Sequence, residues 1–199
     1  MLKQRLKDIV SVGYDILGNK IANGSVIVHN EASLQLQFGM ILKTLGQLYE
    51  YAPTDFLAVM LETPQSVTTC KSANGNARCD IEIILSDGNG NQCTAYIELK
   101  YLKNSSTAAI TDERFSVWTD IENVENYIGS SQNIGFVIVY TDNVNHTIAK
   151  NTKFCIGNNA NIPAGTHPYT KNRLVNIKNN YTSNWDTYNL NHYLLKIEI

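Results

Sequence analysis

The chain has 199 residues, a formal net charge of −2, and 43% hydrophobic against 17% charged residues. That is roughly one domain, long enough to bury about two thirds of its unfolded surface, which excludes both disorder and dependence on a staple or structural metal. No apolar run approaches the ~20 residues of a membrane helix, and Met1 to Val10 lacks the apolar core of a signal peptide, so a cytoplasmic protein with reduced thiols and no membrane partner is expected.

The first helix is predicted over residues 1–18, where Leu2, Leu6, Ile9, Val10, Tyr14 and Leu17 recur at three and four, with Gly18-Asn19 as its stop. A second is predicted from Asn30 to Tyr51, capped by Asn30 and ended by Ala52-Pro53. Strands follow at 56–62 and 66–71, with a turn at 72–76. Residues 78–86 and 92–102 read as the two arms of a hairpin closed by Asp87-Gly88-Asn89-Gly90-Asn91. Helical periodicity returns over 111–128, and the apolar run 134–140 reads as a central strand buried on both faces. Beyond it the chain is polar and Asn-rich, with short strands expected near 152–156, 173–178 and 191–199. The pattern predicts one α/β domain spanning 1–199: two leading helices, a mixed sheet and a buried crossover helix.

Charge is unevenly spread. Residues 1–103 hold nine Lys and Arg against ten Asp and Glu, 104–142 one against six, and 143–199 six against two. A near-neutral total therefore neither requires nor excludes a nucleic-acid face. Cys70, Cys79, Cys93 and Cys155 form no C-x-x-C pair, and the first three fall in strand text, where cysteine serves as a small buried hydrophobe. His29, His146, His167 and His192 are scattered and read as surface or capping residues.

The chemistry concentrates in the hairpin. Glu98 and Lys100 lie two apart on one strand and so point to one side, about 7 Å apart, while Ile97, Leu99 and Tyr101 point into a core. With Asn89 as the loop centre, paired positions sum to 178, which sets Asp80 opposite Glu98 and Glu82 opposite Tyr96. Two carboxylates across a ladder repel unless something positive lies between them. A divalent cation held by hard oxygens, with an adjacent lysine to stabilise phosphate charge, satisfies that requirement. The same residues also suit a solvated sheet face, with Glu98 bridged to Lys100 and Asp80 near Arg78.

Asp80, seventeen intervening residues, and Glu98-Leu99-Lys100 resemble the PD-(D/E)XK, or restriction-endonuclease-like, nuclease superfamily. The order helix, three strands, helix, strand over about residues 25–141 is similar to its αβββαβ core, here with extra short C-terminal strands. The resemblance implies a Mg²⁺-dependent DNA endonuclease, with Mn²⁺ as the expected substitute. It implies that Asp80, Glu98 and the Leu99 carbonyl are metal ligands and Lys100 the catalytic lysine. Glu31 resembles the helical glutamate that many members place beside the metal. Cys79 stands where the motif's name calls for proline. Because cutting a duplex needs two active sites, the resemblance is compatible with a homodimer.

Lesser candidates surround this set. An acid at position 31 is also favoured by the helix dipole alone. Gln35 faces the same way as Glu31, and Glu82 is read as exposed or bridged to Lys71 or Lys103. Asp112, Glu113, Asp120, Glu122 and Glu125 are expected on the solvated face of their helix, with Arg114 in an intrahelical pair. The basic and aromatic residues of 169–188 fit either a nucleic-acid surface or edge strands capping a core. Two other functions remain open on these residues: a nuclease-like fold serving as a binding module, and a two-carboxylate glycosidase, against which the lysine argues.

Overall fold

The computed structural model describes residues 1–67, 77–103 and 107–199. Helices α1 (Leu2–Ala22) and α2 (Glu31–Gln47) precede strands β1 (Phe56–Gln65), β2 (Ala77–Ser86) and β3 (Gln92–Leu102). Helix α3 (Thr107–Tyr127) then leads into β4 (Ile134–Thr141). Six short strands follow: β5 (Ala160–Ile162), β6 (Gly165–Thr170), β7 (Arg173–Ile177), β8 (Tyr181–Ser183), β9 (Trp185–Tyr188) and β10 (His192–Glu198). The main sheet is mixed, in the order β1-β2-β3-β4-β10-β9, with β3 and β4 parallel through the α3 crossover and its other pairs antiparallel. Each face of this sheet is covered. Leu6, Ile9, Leu34, Phe38, Ile97 and Leu99 make a core beneath α1 and α2, whereas Trp118, Ile121, Val124, Val137, Val139 and Ile197 make a second beneath α3. Every residue of β4 is buried, as an all-apolar strand between two cores must be.

Several element ends differ from expectation for tertiary reasons. Helix α1 runs past Gly18, because this glycine is a packing residue: a Cβ there would come within 2.4 Å of the Tyr188 ring. Helix α2 starts as expected, with Asn30 and Ser33 forming a reciprocal capping box. It ends at Gln47, short of Tyr51, where buried Arg5 reaches across to donate to the Tyr49 carbonyl and pairs with Asp55 at 2.6 Å. Strand β1 continues through Pro64, which an edge strand tolerates because one row of its N–H groups needs no partner. No strand forms at 152–156, where Phe154 adopts φ 57° and sets its ring edge-on to Phe115 and Trp118. The predicted strand 66–71 with Cys70 and Lys71, and the turn at 72–76, lie largely outside the described residues. Cys79 and Cys93 are buried as expected. Among the described residues no helix is long and apolar enough to cross a membrane.

The acids of α3 depart most from expectation. The sequence pattern sets them facing solvent, but Asp120, Glu122 and Glu125 are buried, at 0%, 7% and 7% exposure. The C-terminal strands lie over Glu122 and Glu125, whereas Asp120 faces Lys100 of β3. The Glu125 carboxylate accepts the backbone N–H groups of Lys178 and Asn179 and the Tyr181 hydroxyl, clamping that segment to α3. Arg114 is likewise buried, donating to the carbonyls of Asn145, His146 and Ile148 rather than pairing within its helix. His146 is fully buried, 3.3 Å from Glu113, not a surface residue. Of the basic and aromatic C-terminal residues, Arg173 lies over the Phe115 and Tyr169 rings and Trp185 is buried, as edge strands capping a core require.

Candidate active site

The hairpin closes where the sequence pattern places it. Asp87 accepts the N–H groups of Asn89 and Asn91, and the β2–β3 ladder runs from Ser86↔Gln92 to Ile81↔Ile97 in the expected register. It stops there. Continued, that register and the one between β1 and β2 would line up Glu62, Asp80 and Glu98 across three adjacent strands. Like charges in one row repel, and the pairing lapses at this row in both ladders. Glu62 takes the left-handed φ of 55°. Beyond the row, β1 and β2 pair again from Thr63↔Cys79 to Gln65↔Ala77, but they have changed sides. Ala77 and Cys79 belong to the core under α3, whereas Ile81, Ile83 and Leu85 belong to the core under α1 and α2. Odd-numbered residues of an unbroken strand share one face, so β2 reverses its faces at Asp80, where it departs from the ladder with β3.

The departure creates an opening between β2 and the end of β3. From Glu98↔Val137 to Leu102↔Thr141, β3 keeps β4 on one side only. Asp80 bridges the gap with its side chain, Oδ2 accepting the Leu99 N–H at 2.7 Å. A strand residue's N–H and C=O face the same neighbour, so the Leu99 carbonyl also faces this opening. Asp80 and Glu98 are thus not a flat cross-strand pair, as the register alone predicts, but two acids on either side of the gap.

Helix α2 closes one wall. The Gln35 amide donates to the Asp80 carbonyl at 2.6 Å and to Glu62 Oε1 at 3.1 Å, pinning the point of reversal; Gln35 is therefore a fastening, not idle surface. One turn earlier, Glu31 Oε2 lies 2.9 Å from Lys100 Nζ. Helix α3 closes the other wall. Asp120 Oδ2 lies 3.6 Å from the same ammonium, and the Tyr127 hydroxyl, which donates to the Arg78 carbonyl at 3.5 Å, lies near the carboxylate of Glu98, whose own residue is 4% exposed. Glu98 and Lys100 both meet α3, while Ile97 and Leu99 lie in the opposite core, so the expected same-side placement holds. The expected Glu98–Lys100 bridge is replaced by the pairing of Lys100 with Glu31 and Asp120. Glu82 accepts the Gln65 amide, and Lys103 reaches the His29 carbonyl and the Tyr101 ring.

Electrostatics mark the same place. Burial pushes the Cys79 thiol up, and the neighbouring charges of Glu98, Asp80 and Glu82 push it further. Burial raises the Tyr127 phenol as well, with the Glu98 carboxylate as the next cause, so the phenol stays protonated beside that carboxylate. The acids at the opening are hard oxygen donors of the kind Mg²⁺ takes. Among the described residues no three His, Cys, Asp or Glu side chains converge into a cage. A Mg²⁺ ion characteristically uses one or two carboxylates and completes its octahedron with water and phosphate, and Asp80, Glu98 and the Leu99 carbonyl are oxygen donors of that kind.

The sequence pattern sets Asp120 on the solvated face of its helix and offers Tyr127 no role at the site. Their one signal is position: each lies within a turn of the apolar stripe Val117, Ile121 and Val124, which packs on the sheet. No protein-family model, curated protein or solved structure matches this chain.

Proposed function

We propose that this chain is a metal-dependent nuclease hydrolysing DNA phosphodiester bonds, built on a restriction-endonuclease-like αβββαβ core. The observation that supports the reading is the break at Asp80, where the Asp80 carboxylate accepts the Leu99 N–H at the end of the ladder and Lys100, one residue on, pairs with Glu31. Mg²⁺, with Mn²⁺ as its expected substitute, would be held by Asp80, Glu98 and the Leu99 carbonyl, joined by Glu31, and when bound would acidify a water and offset phosphate charge. Lys100 places an ammonium beside the acids, where charge builds on the phosphate as the attacking oxygen adds. Tyr127 keeps a protonated hydroxyl beside the Glu98 carboxylate. Asp80 keeps β3 in place through the Leu99 N–H, so the carbonyl of the same residue is aimed rather than loose. A homodimer would supply the second centre needed to cut both strands.

The test is cleavage of supercoiled plasmid with Mg²⁺ or Mn²⁺, using the wild-type protein, a Lys100→Ala variant and an EDTA control. The wild type is expected to nick or linearise the plasmid, and the variant and control are not. Equal cleavage by wild type and variant would assign the activity to a contaminant and sink the reading. DNA binding with neither divalent-ion binding nor turnover would make the chain a binding module instead.

A further inference from the structure

Lys100 carries one positive charge, and two carboxylates stand against it. They differ in what they are free to do. The Asp120 side chain is 0% exposed and set within α3, so its carboxylate cannot leave the ammonium without repacking the core around it. The Glu31 side chain is 43% exposed and sits in the first turn of α2, where the helix dipole favours a carboxylate whether or not it touches lysine. Leaving Lys100 costs Glu31 only a partly exposed ion pair. Glu31 is also the partner on the opening's own side, contributed by the helix whose next turn pins Asp80.

We infer that Glu31 is a stand-in for a substrate phosphate: its carboxylate occupies Lys100 in the free protein and yields that position to a phosphodiester oxygen of nucleic acid, while Asp120 remains as the positioning residue that fixes the ammonium. The exchange is chemically even. A carboxylate oxygen and a phosphodiester oxygen each bring one delocalised negative charge and accept an ammonium hydrogen at similar distance. Lysine, a compact point charge without the planar fork of arginine, discriminates little between them. Glu31 thereby keeps Lys100 neutralised until phosphate arrives, and is itself released toward the opening when it does. This inference rests on the nuclease reading for the identity of the phosphate, but its test needs no turnover.

The experiment is fluorescence anisotropy of a short fluorescein-labelled DNA duplex, titrated with protein in EDTA. Removing the internal competitor in Glu31→Gln is expected to tighten binding about two- to fivefold, the range an exposed ion pair spans. In the Lys100→Gln background the same change is expected to have no effect, because the phosphate position is gone. A gain that persists without Lys100 would be a general charge effect and would overturn the inference, as would no gain at all. Glu31→Asp covers the case in which Lys100→Gln does not fold. It keeps the charge but shortens the reach, so it too is expected to tighten binding, and unchanged binding overturns the inference. For Asp120, Asp120→Asn is expected to lower kcat for plasmid nicking with KM unchanged; a change confined to KM would refute the positioning role. Failure of wild-type cleavage would remove the nuclease reading and leave the binding cycle interpretable.

Discussion

Replacing Lys100 with methionine separates what this residue does for the fold from what it does for chemistry. The stem keeps its volume, but the ammonium is lost 3.6 Å from Asp120, whose side chain is 0% exposed. Breaking a buried ion pair by removing one partner costs about 3–5 kcal/mol. The lower end applies here because the contact is long and the lysine side chain is 16% exposed. The loss of Glu31 adds at most about 1 kcal/mol, since that carboxylate is partly in water. The expected destabilisation is therefore about 3 kcal/mol, or about 7 °C in Tm for a chain of this length. Lys100→Met with Asp120→Asn removes both charges of the pair and should return to within about 1 kcal/mol of wild type. Urea titration followed by tryptophan fluorescence reads the result, since Trp118 and Trp185 both lie in the core under α3. An unchanged m-value would show that the transition remains the same. The double variant is expected to regain stability without regaining cleavage. A Lys100→Met protein as stable as wild type would refute the claim that Asp120 depends on this ammonium, and a double variant that cleaves DNA at the wild-type rate would remove Lys100 from the chemistry.

Three further outcomes follow from neighbouring contacts. Gly135→Ala puts a Cβ 2.1 Å from Val124 Cγ1, where α3 crosses β4, so it should cost about 1–3 kcal/mol by overpacking, with partial recovery in a Gly135→Ala, Val124→Ala double variant, both read as urea midpoints. Glu122 is held above its ordinary 4.5 by burial, partly offset by hydrogen bonds to Asn176. Its ionisation therefore opposes folding: the penalty is complete above the raised value and vanishes as pH falls to the ordinary one. Glu122→Gln should accordingly raise Tm at neutral pH, with the gain fading in melts taken toward about pH 4. Gln35→Leu withdraws the amide that binds the Asp80 carbonyl at 2.6 Å. A loss of about 1–2 kcal/mol is expected by chemical denaturation, accompanied by slower plasmid nicking.

Local pattern made much of the molecule legible. The Asp-Gly-Asn loop and the alternation of its flanking strands set the β2–β3 register, and with it the common face of Glu98 and Lys100, because period and turn length alone decide which residues meet. Asn30 capped α2 as its side chain dictates, and the unbroken apolar run 134–140 became the strand between two cores. Four cysteines without metal spacing left buried thiols at Cys79 and Cys93.

What needed the assembled fold were the places where distant segments compete for one position. The row of Glu62, Asp80 and Glu98 forms only after three strands align, so the repulsion that breaks the ladder cannot be read from any one strand. Its resolution then calls on Gln35 from a helix and the Leu99 N–H from the next strand. Asp120 reads as a solvated acid in its own helix because amphipathic period reports one buried face. The C-terminal strands cover the other at Glu122 and Glu125, while Asp120 turns toward the sheet, where only the placement of β3 makes it the partner of Lys100. Short-range periodicity decides which way a side chain points; what it points at, and whether water is left there, depends on chain segments far away in sequence.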